Sequence, residues 1–584
     1  MTLIPKFMGR DDELSTTGSV DERSIDSWNV TQKILAQLDA VFESRGVRAW
    51  TRRSTSGGSS GQTGGWSSGG WSGWNSAWST DCLRHWISNG QSYYSDMGHV
   101  EACTASTLHP QSFAAQCLST LVAAEEARAR AQDVAPRGTR YSLSAANVDI
   151  ADPGIAWGTH VNVSISNELF SDLFLDARRP AVLGYVASAL AAAIPFFGCG
   201  YLMPVPKRGD TIFSLSARAH HLTKISTLRT TEAWHRGILN ERQESHADGQ
   251  DRLHLIGFDF CLGGATLMSS FLQCLLAAAE EGFCGLNLYE PVRALRTWSW
   301  TLDPRTTRLT GKAVLTDGRQ LTLPGYVAEL TRALLHMCET GLIPESVAPG
   351  ARELYLPRIL ELCGYLEAGE LARCAPHLDW AAKLMVLMDL QQREGWDLGD
   401  GRMRLADHDY ANTDPARGAF WKLWEAGQVD PLVEREAVDA CLVEGPPESR
   451  DWGRGKLIER FHDDITDVDW SYVELERGEG RWNQRLKIEL PVPGSMGRER
   501  LGPLLDDCVD ADELEERLEA AEASRVDPLL ENPTEGAGAA LVGDADVDED
   551  IEAEPDSVNG TVNGIANGGD TDVDLDLGDE VIQE

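Results

Sequence analysis

Residues 89–101 read NGQSYYSDMGHVE, and this stretch sets the tightest condition on the fold. Asn89-Gly90 is a turn signal, and the adjacent tyrosines with no helix-cap pattern predict a strand over Ser92–Asp96. Asp96, His99 and Glu101 then fall within six residues. Side chains alternate along a strand, so Asp96 and Glu101 share a face only if the chain bends between them. Gly98 permits that bend. Two carboxylates and an imidazole at a bent strand end can bind a hard cation or move a proton. A solvated polar strand end is the alternative reading.

The chain of 584 residues is 42% hydrophobic, enough for a large core and two or more domains. Its net charge is −39, and the 18 Asp and Glu of residues 526–584, with no Lys or Arg, leave −21 for residues 1–525. An acidic surface of this kind excludes non-specific nucleic-acid binding, which needs clustered Lys and Arg. The basic residues are mostly Arg, suited to paired hydrogen bonds with carboxylate or phosphate. Twelve cysteines without a CxxC pair read as reduced core residues of a cytoplasmic protein. The N-terminus lacks the apolar run of a signal peptide. Ala181–Met203 is long enough to span a membrane, but Pro195, Gly198 and Gly200 break it. A buried helix followed by a buried strand is expected there, with no membrane partner.

Along the chain, residues 5–14 predict a short strand that places Asp11 and Glu13 on one face, and 28–45 a helix. Residues 54–78 are a Gly/Ser segment carrying Trp66, Trp71, Trp74 and Trp78; such a segment cannot pack a core. Its tryptophans suit docking either on a partner or on their own domain. A helix is expected over 112–131, strands within 141–166, and more strands over 210–222 and 252–260. Helices are expected over 264–281, 325–341, 355–370, 378–394, 415–435 and 448–463, a hairpin over 468–490 turning at Gly478-Glu-Gly480, and a last helix over 510–524. The acidic residues beyond Arg525 are expected to be disordered. Solvation explains their charge; mimicry of an acidic modifier is the sharper alternative.

Four polar clusters are far apart in sequence: Asp11/Glu13, Asp96/His99/Glu101, His160/Asn162, and RGILNERQESHAD at Arg236–Asp248. Converging, they would suit a magnesium–nucleotide site. Together they resemble the Pup deamidase/depupylase (Dop) and Pup ligase (PafA) family, relatives of glutamine synthetase and the carboxylate–amine ligases. Phe7-Met-Gly9 with Asp11 and Glu13 resembles the family's first strand. Asn89-Gly90, Tyr94, Asp96, His99 and Glu101 resemble the strand with its essential aspartate. Gly158, His160 and Asn162, then Arg236–Asp248 with Arg252-Leu-His254, resemble further motifs. Asp379-Trp380 with Lys383, Arg417-Gly418, Pro446-Pro447 and Arg454-Gly455 resemble the C-terminal half. The Asp96–Glu101 spacing, the 45–82 insertion and the segment from Gly502 to Leu518 lean to the Dop branch. Carboxylates of the family pattern are replaced at Val161, Gly264 and Ser106, which implies weaker magnesium–nucleotide binding.

The resemblance implies an α+β fold: a glutamine-synthetase-like antiparallel sheet cradle packed with helices, a small C-terminal domain and a disordered acidic tail. The implied boundaries are a catalytic domain over 1–435 with a flexible Gly/Ser/Trp insertion at 45–82, a small domain over 436–525, and the tail over 526–584. It implies Mg2+ and ATP, or ADP plus phosphate, as cofactors. The implied partners are a small Pup-like protein modifier and modified proteins. Asp96 would be the nucleophile or general base, and Asp11, Glu13 and Glu101 the metal ligands. His160, Asn162, Arg218, Asn240, Arg242, His246 and Arg252 would serve nucleotide or phosphate. His254 reads as a core histidine, and Arg252 as a phosphate ligand or a partner of Asp248 or Asp251. The implied activity is cleavage of a modifier–lysine isopeptide bond, or deamidation of the modifier's C-terminal glutamine. The alternatives are isopeptide ligation, or a scaffold that has lost catalysis.

Overall fold

A computed structural model describes residues 3–51, 84–176, 180–205, 209–229, 235–243, 249–429, 432–477 and 484–523. The tryptophan-bearing insertion, His246, the 478–480 turn and the acidic tail therefore lie outside the described residues. Met1–Ser524 form one compact unit. The fold is mixed α+β and is built on an 11-stranded sheet.

The sheet strands are β1 (Met8–Val20), β2 (Arg23–Ile25), β3 (Ala49–Thr51), β4 (His85–Ile87), β5 (Ser92–Asp96), β6 (His99–Cys103), β7 (Thr139–Ser144) and β8 (Thr159–Ser166). After a separate hairpin of β9 (Tyr201–Val205) and β10 (Asp210–Ser214) come β11 (Lys224–Thr227), β12 (Gly237–Asn240) and β13 (Gln250–Phe258). The order is β11-β12-β13-β8-β1-β6-β5-β4-β3, with β2 and β7 paired to the far half of β1. Every pairing is antiparallel except β11 with β12.

β1 is longer than expected, because its second half finds partners of its own in β7 and β2. Its first half alternates strictly: Met8, Arg10, Asp12 and Leu14 are buried, while Gly9, Asp11 and Glu13 are partly open. The buried face packs on the apolar helices Pro110–Asp133 and Ala265–Glu280, through residues such as Phe113, Leu121, Phe271 and Leu275. Arg10 and Asp12 lie fully buried on that face as a 2.8 Å ion pair, and Arg10 also donates to the Cys261 carbonyl. Burying a charge pair is costly, and the backbone oxygen offsets part of that cost while Arg10 Nη2 is left without an acceptor.

Several expectations from sequence change in detail. The 28–45 helix is two helices, Ser27–Leu35 and Leu38–Glu43. Ala181–Met203 folds as helix Pro180–Ala192, a short turn Ile194–Phe197 and strand β9. No described helix is long and apolar enough to cross a membrane. Among the described residues of the 415–435 range, helix spans Ala419–Glu425 and a separate helix begins at Arg435. The expected 468–490 hairpin is a three-stranded meander that begins at Ile465–Asp469, with Tyr472–Arg477 in the middle and Gln484–Glu489 at the edge. That meander and the helices Arg450–Phe461, Arg498–Leu505 and Ala511–Ala523 enclose a second apolar core. Trp86 of β4 inserts into this core from the large sheet. The described cysteines are free thiols.

Candidate functional site

The stretch 89–101 is a tight hairpin, not one bent strand: β5 and β6 pair with Asp96 opposite His99 and Tyr94 opposite Glu101. Met97 and Gly98 form the two-residue turn with φ of 46° and 89°. Such a turn needs positive φ at both central residues, which Gly98 adopts without strain. Residues opposite one another in an antiparallel pair share a face. Asp96, Tyr94, His99 and Glu101 are therefore on one side of the sheet, with no bend required. Register carries the same face across β1, where Glu13 pairs with Glu101 and Asp11 with Cys103. It continues into β8, where Asp11 pairs with His160 and Gly9 with Asn162, and into β13, where His254 pairs with Asn162.

These residues line one groove of about 1000 Å³. At one part of it, Glu13, Asp96 and Glu101 each offer a ligand atom within 4.8 Å of the others. Glu13 accepts from the Gly158 N–H at 2.7 Å, and Glu101 accepts from the Tyr94 hydroxyl at 2.5 Å. Burial drives the Glu101 carboxyl well above its ordinary range, and Glu13, Asp11 and Asp96 push it further. Burial and Glu13 raise Asp96 as well. His99 donates from Nδ1 to the Leu14 carbonyl at 3.1 Å and lies against the Trp157 ring at 4.8 Å. A ring nitrogen bonded to a carbonyl carries the proton, so Nε2 is the nitrogen left to exchange one.

The same groove is also cationic: Arg84, Arg218, Arg236, Arg242, Arg252 and Arg450 all line it. Burial lowers Arg218 to about 10, with Arg236 adding repulsion, and burial lowers Arg236 too. Buried Nε of Arg218, and Nε and Nη1 of Arg236, have no protein acceptor. Asn162 links acidic and basic groups, donating to Asp11 at 2.9 Å and accepting from His254 Nδ1 at 2.7 Å and from Arg252 at 3.3 Å. His160 and His254 meet edge to face at 5.0 Å, and burial lowers the pKa of both imidazoles.

Of the residues singled out from sequence, the groove gathers Asp11, Glu13, Asp96, Glu101, His160, Asn162, Arg218, Arg242 and Arg252. Asn240 is different. It is fully buried, and its Oδ1 accepts the Arg242 backbone N–H, so it shapes the turn that presents Arg242. His254 lines the groove rather than serving only the core. The acids thought lost need correction. Val161 alternates with His160 and Asn162 and faces the core, so a carboxylate there would point away from the groove. At Gly264 an added Cβ would lie 2.2 Å from the Phe196 carbonyl, leaving no room for a side chain. Only Ser106 lines the groove, and it bonds a carboxylate from elsewhere, Asp451, at 2.5 Å. Sequence reasoning missed Arg84, Trp157, Arg450, Asp451 and Trp470 as groove residues. They come from loops and from the second core, where no periodicity reports which way a side chain turns.

Do the residues fit a divalent cation and a phosphate? A buried, unpartnered Asp96 Oδ1 beside two further carboxylates fits a hard cation. Orphaned arginine donors in the same groove fit a phosphate or a carboxylate. Fold and site thus define a sheet-lined groove built for a cation and an anion side by side.

The model of the Pup-ligase protein family matches residues 15–474, and the chain belongs to that family. It is 30% identical to the Pup deamidase/depupylase of Mycolicibacterium smegmatis over 453 residues, covering 74% of this chain and 82% of that protein. It is 28% identical to the Pup–protein ligase of Kocuria rhizophila over 422 residues, covering 69% of this chain and 85% of that protein. The fold is similar to the ligase PafA in its complex with Pup, with a TM-score of 0.64 at 19% identity, over 91% of this chain and 99% of that one. PafA in complex with ADP is also similar, with a TM-score of 0.59 at 21% identity, over 75% of this chain and 90% of that one. Hydrolase-named and ligase-named relatives stand almost equally near.

Proposed function

We propose that the chain is a magnesium- and nucleotide-dependent amidohydrolase of the depupylase/deamidase type, acting on a Pup-like modifier. One observation carries the reading: Glu13, Asp96 and Glu101 converge within 4.8 Å in a groove that six arginines also line. The five-residue step from Asp96 to Glu101, spanned by a two-residue turn, is the feature that favours hydrolase over ligase.

Glu13 and Glu101, with Asp11 close by, would hold Mg2+, which neutralises phosphate charge and polarises an oxygen when bound. Arg218 and Arg236 would take the phosphate oxygens. An amide carbon is a poor electrophile and needs a positioned oxygen to attack it. Asp96 supplies that oxygen, either directly or by taking a proton from water. In direct attack, the Asp96 carboxylate bonds the amide carbon, the C–N bond breaks, and the amine leaves with one proton drawn from a water molecule. Water then cleaves the resulting anhydride to two carboxylic groups. His99 Nε2 stands across the hairpin from Asp96 and is placed to carry the proton. Val161 is buried in the core and Gly264 does not line the groove, which supports a catalytic reading over a scaffold.

The test begins with calorimetry of ATP and ADP with Mg2+ on wild type and Glu101→Ala. Wild type is expected to bind and the variant to bind at least tenfold more weakly. Wild type should then cleave a modifier–lysine conjugate or a modifier ending in glutamine, and Asp96→Asn should lose at least about a thousandfold in rate. Conjugate formation with net ATP consumption, and no cleavage, would establish the ligase instead.

A further inference from the structure

Arg84 sits in a cage of three aromatic rings. Its guanidinium carbon is 4.0 Å from the Tyr94 ring centroid, 5.4 Å from Trp86 and 5.5 Å from Trp470. Trp86 and Trp470 meet edge to face at 4.7 Å. Arg454 covers the same two rings, at 4.9 and 5.3 Å, and donates to the Trp470 carbonyl at 3.2 Å. Trp470 belongs to the meander of the second core, while Tyr94 belongs to β5 of the large sheet. The Tyr94 hydroxyl donates to Glu101 Oε1 at 2.5 Å. A contiguous chain of contacts thus runs from the second core to a carboxylate of the groove: Trp470, Arg84, Tyr94, Glu101.

We propose that Arg84 and Trp470 are positioning residues for the carboxylate centre, holding the Tyr94 ring so that its hydroxyl fixes one Glu101 oxygen and leaves the other for a divalent cation. The physical reason lies in what Glu101 lacks. It is buried among carboxylates, and the Tyr94 hydroxyl donates to it. A ligand carboxylate with no orienting bond rotates and binds more weakly; outer partners of metal ligands typically change affinity by about 10- to 100-fold. A phenol ring lying under a guanidinium is held by cation–π attraction, which is strongest where water is excluded. Trp470 closes the cage on the side away from the large sheet. Folding of the second core is thereby coupled to the geometry of a ligand 369 residues earlier in the chain.

This inference rests on the carboxylate centre holding a divalent cation. The probe is Mn2+ alone, titrated against the full chain with free Mn2+ read by electron paramagnetic resonance. Arg84→Ala and Trp470→Ala are each expected to weaken Mn2+ binding about tenfold. Their combination should weaken it no more than the worse single change, because both act through Tyr94. Arg84→Lys and Trp470→Phe keep a cation and a ring and should restore most of the affinity. Lys487→Ala removes a cation–π contact to Tyr472 in the same meander and should leave affinity unchanged. Additive losses, or wild-type affinity in Arg84→Ala, would overturn the proposal. If Trp470→Ala unfolds, Trp470→Phe and the two Arg84 variants still decide it. Wild type that binds no Mn2+ would overturn the reading of the carboxylate centre itself, an outcome distinct from unchanged affinity among the variants.

Discussion

At the scale of single residues, the centre is destabilising by design until something positive enters it. Glu101 is raised above its ordinary pKa by burial first and by Glu13, Asp11 and Asp96 after that. A carboxyl whose folded pKa lies above its unfolded one is bound to more protons in the native state. Its ionisation therefore costs stability as pH rises from about 4.5 through the folded pKa. The protein without cation carries a share of that cost that grows as pH rises above the unfolded value, and a bound cation removes it. Mg2+ at saturating concentration should thus raise the melting temperature markedly at pH 7.5 and little at pH 5. Glu101→Gln should melt higher than wild type without Mg2+ and lose most of the Mg2+ response. Thermal scans at the two pH values check both, and an equal Mg2+ response at pH 5 would contradict the account. The sequence already displayed these acids by type. It did not show that Glu13 pairs with Glu101, because register is a property of the partner strand.

At the scale of elements, the β5–β6 hairpin joins foldability to function. Its turn holds Met97 at φ 46°, a region costly for a side chain without local hydrogen bonding. Asn or Gly is the ordinary occupant of that position. Met97→Gly should therefore stabilise the protein by roughly 0.5–1 kcal/mol, read from urea unfolding. Gly98→Ala should do the reverse by more than about 1 kcal/mol, since φ is 89° and the new Cβ would sit 2.7 Å from Ser27 Oγ. A destabilised Met97→Gly would show that Met97 packs in a way its exposure does not suggest. The turn residues were legible in sequence as Gly98 and its flanking strand pattern, but the element was misread as a single strand with a bend. The reason is that Met97 carries no turn signal, so the strand reads on to Glu101. The Pro110–Asp133 and Ala265–Glu280 helices were legible to within a few residues, because buried helices this long advertise themselves by length and apolar content.

At the scale of the molecule, single strands and helices were readable from alternation and periodicity and the sheet with helices behind it only from the resemblance, whereas the joint between the two cores was readable from neither. That joint is polar and made by loops. Asp451 lies buried at its centre, with Oδ2 accepting from Ser106 N and Oγ at 2.5 Å and Oδ1 paired with Arg454 at 2.6 Å. Arg454 in turn donates to the Gly90 carbonyl at 3.0 Å. One carboxylate thus ties the helix of the second core to the loop after β6 and, through Arg454, to the turn before β5. Burial alone would raise its pKa, but Arg454 and Arg450 hold it below the ordinary value. A depressed pKa means stability that is present above about pH 3.8 and is lost as pH falls through the folded value. Asp451→Asn keeps the shape but leaves Arg454 buried without its counter-charge. Breaking one side of such a pair costs about 3–5 kcal/mol. Urea unfolding at pH 7 should show that loss, and the gap to wild type should narrow below pH 4 as wild-type Asp451 takes up its proton. A gap that stays constant with pH would mean the cost comes from altered packing rather than from the charge.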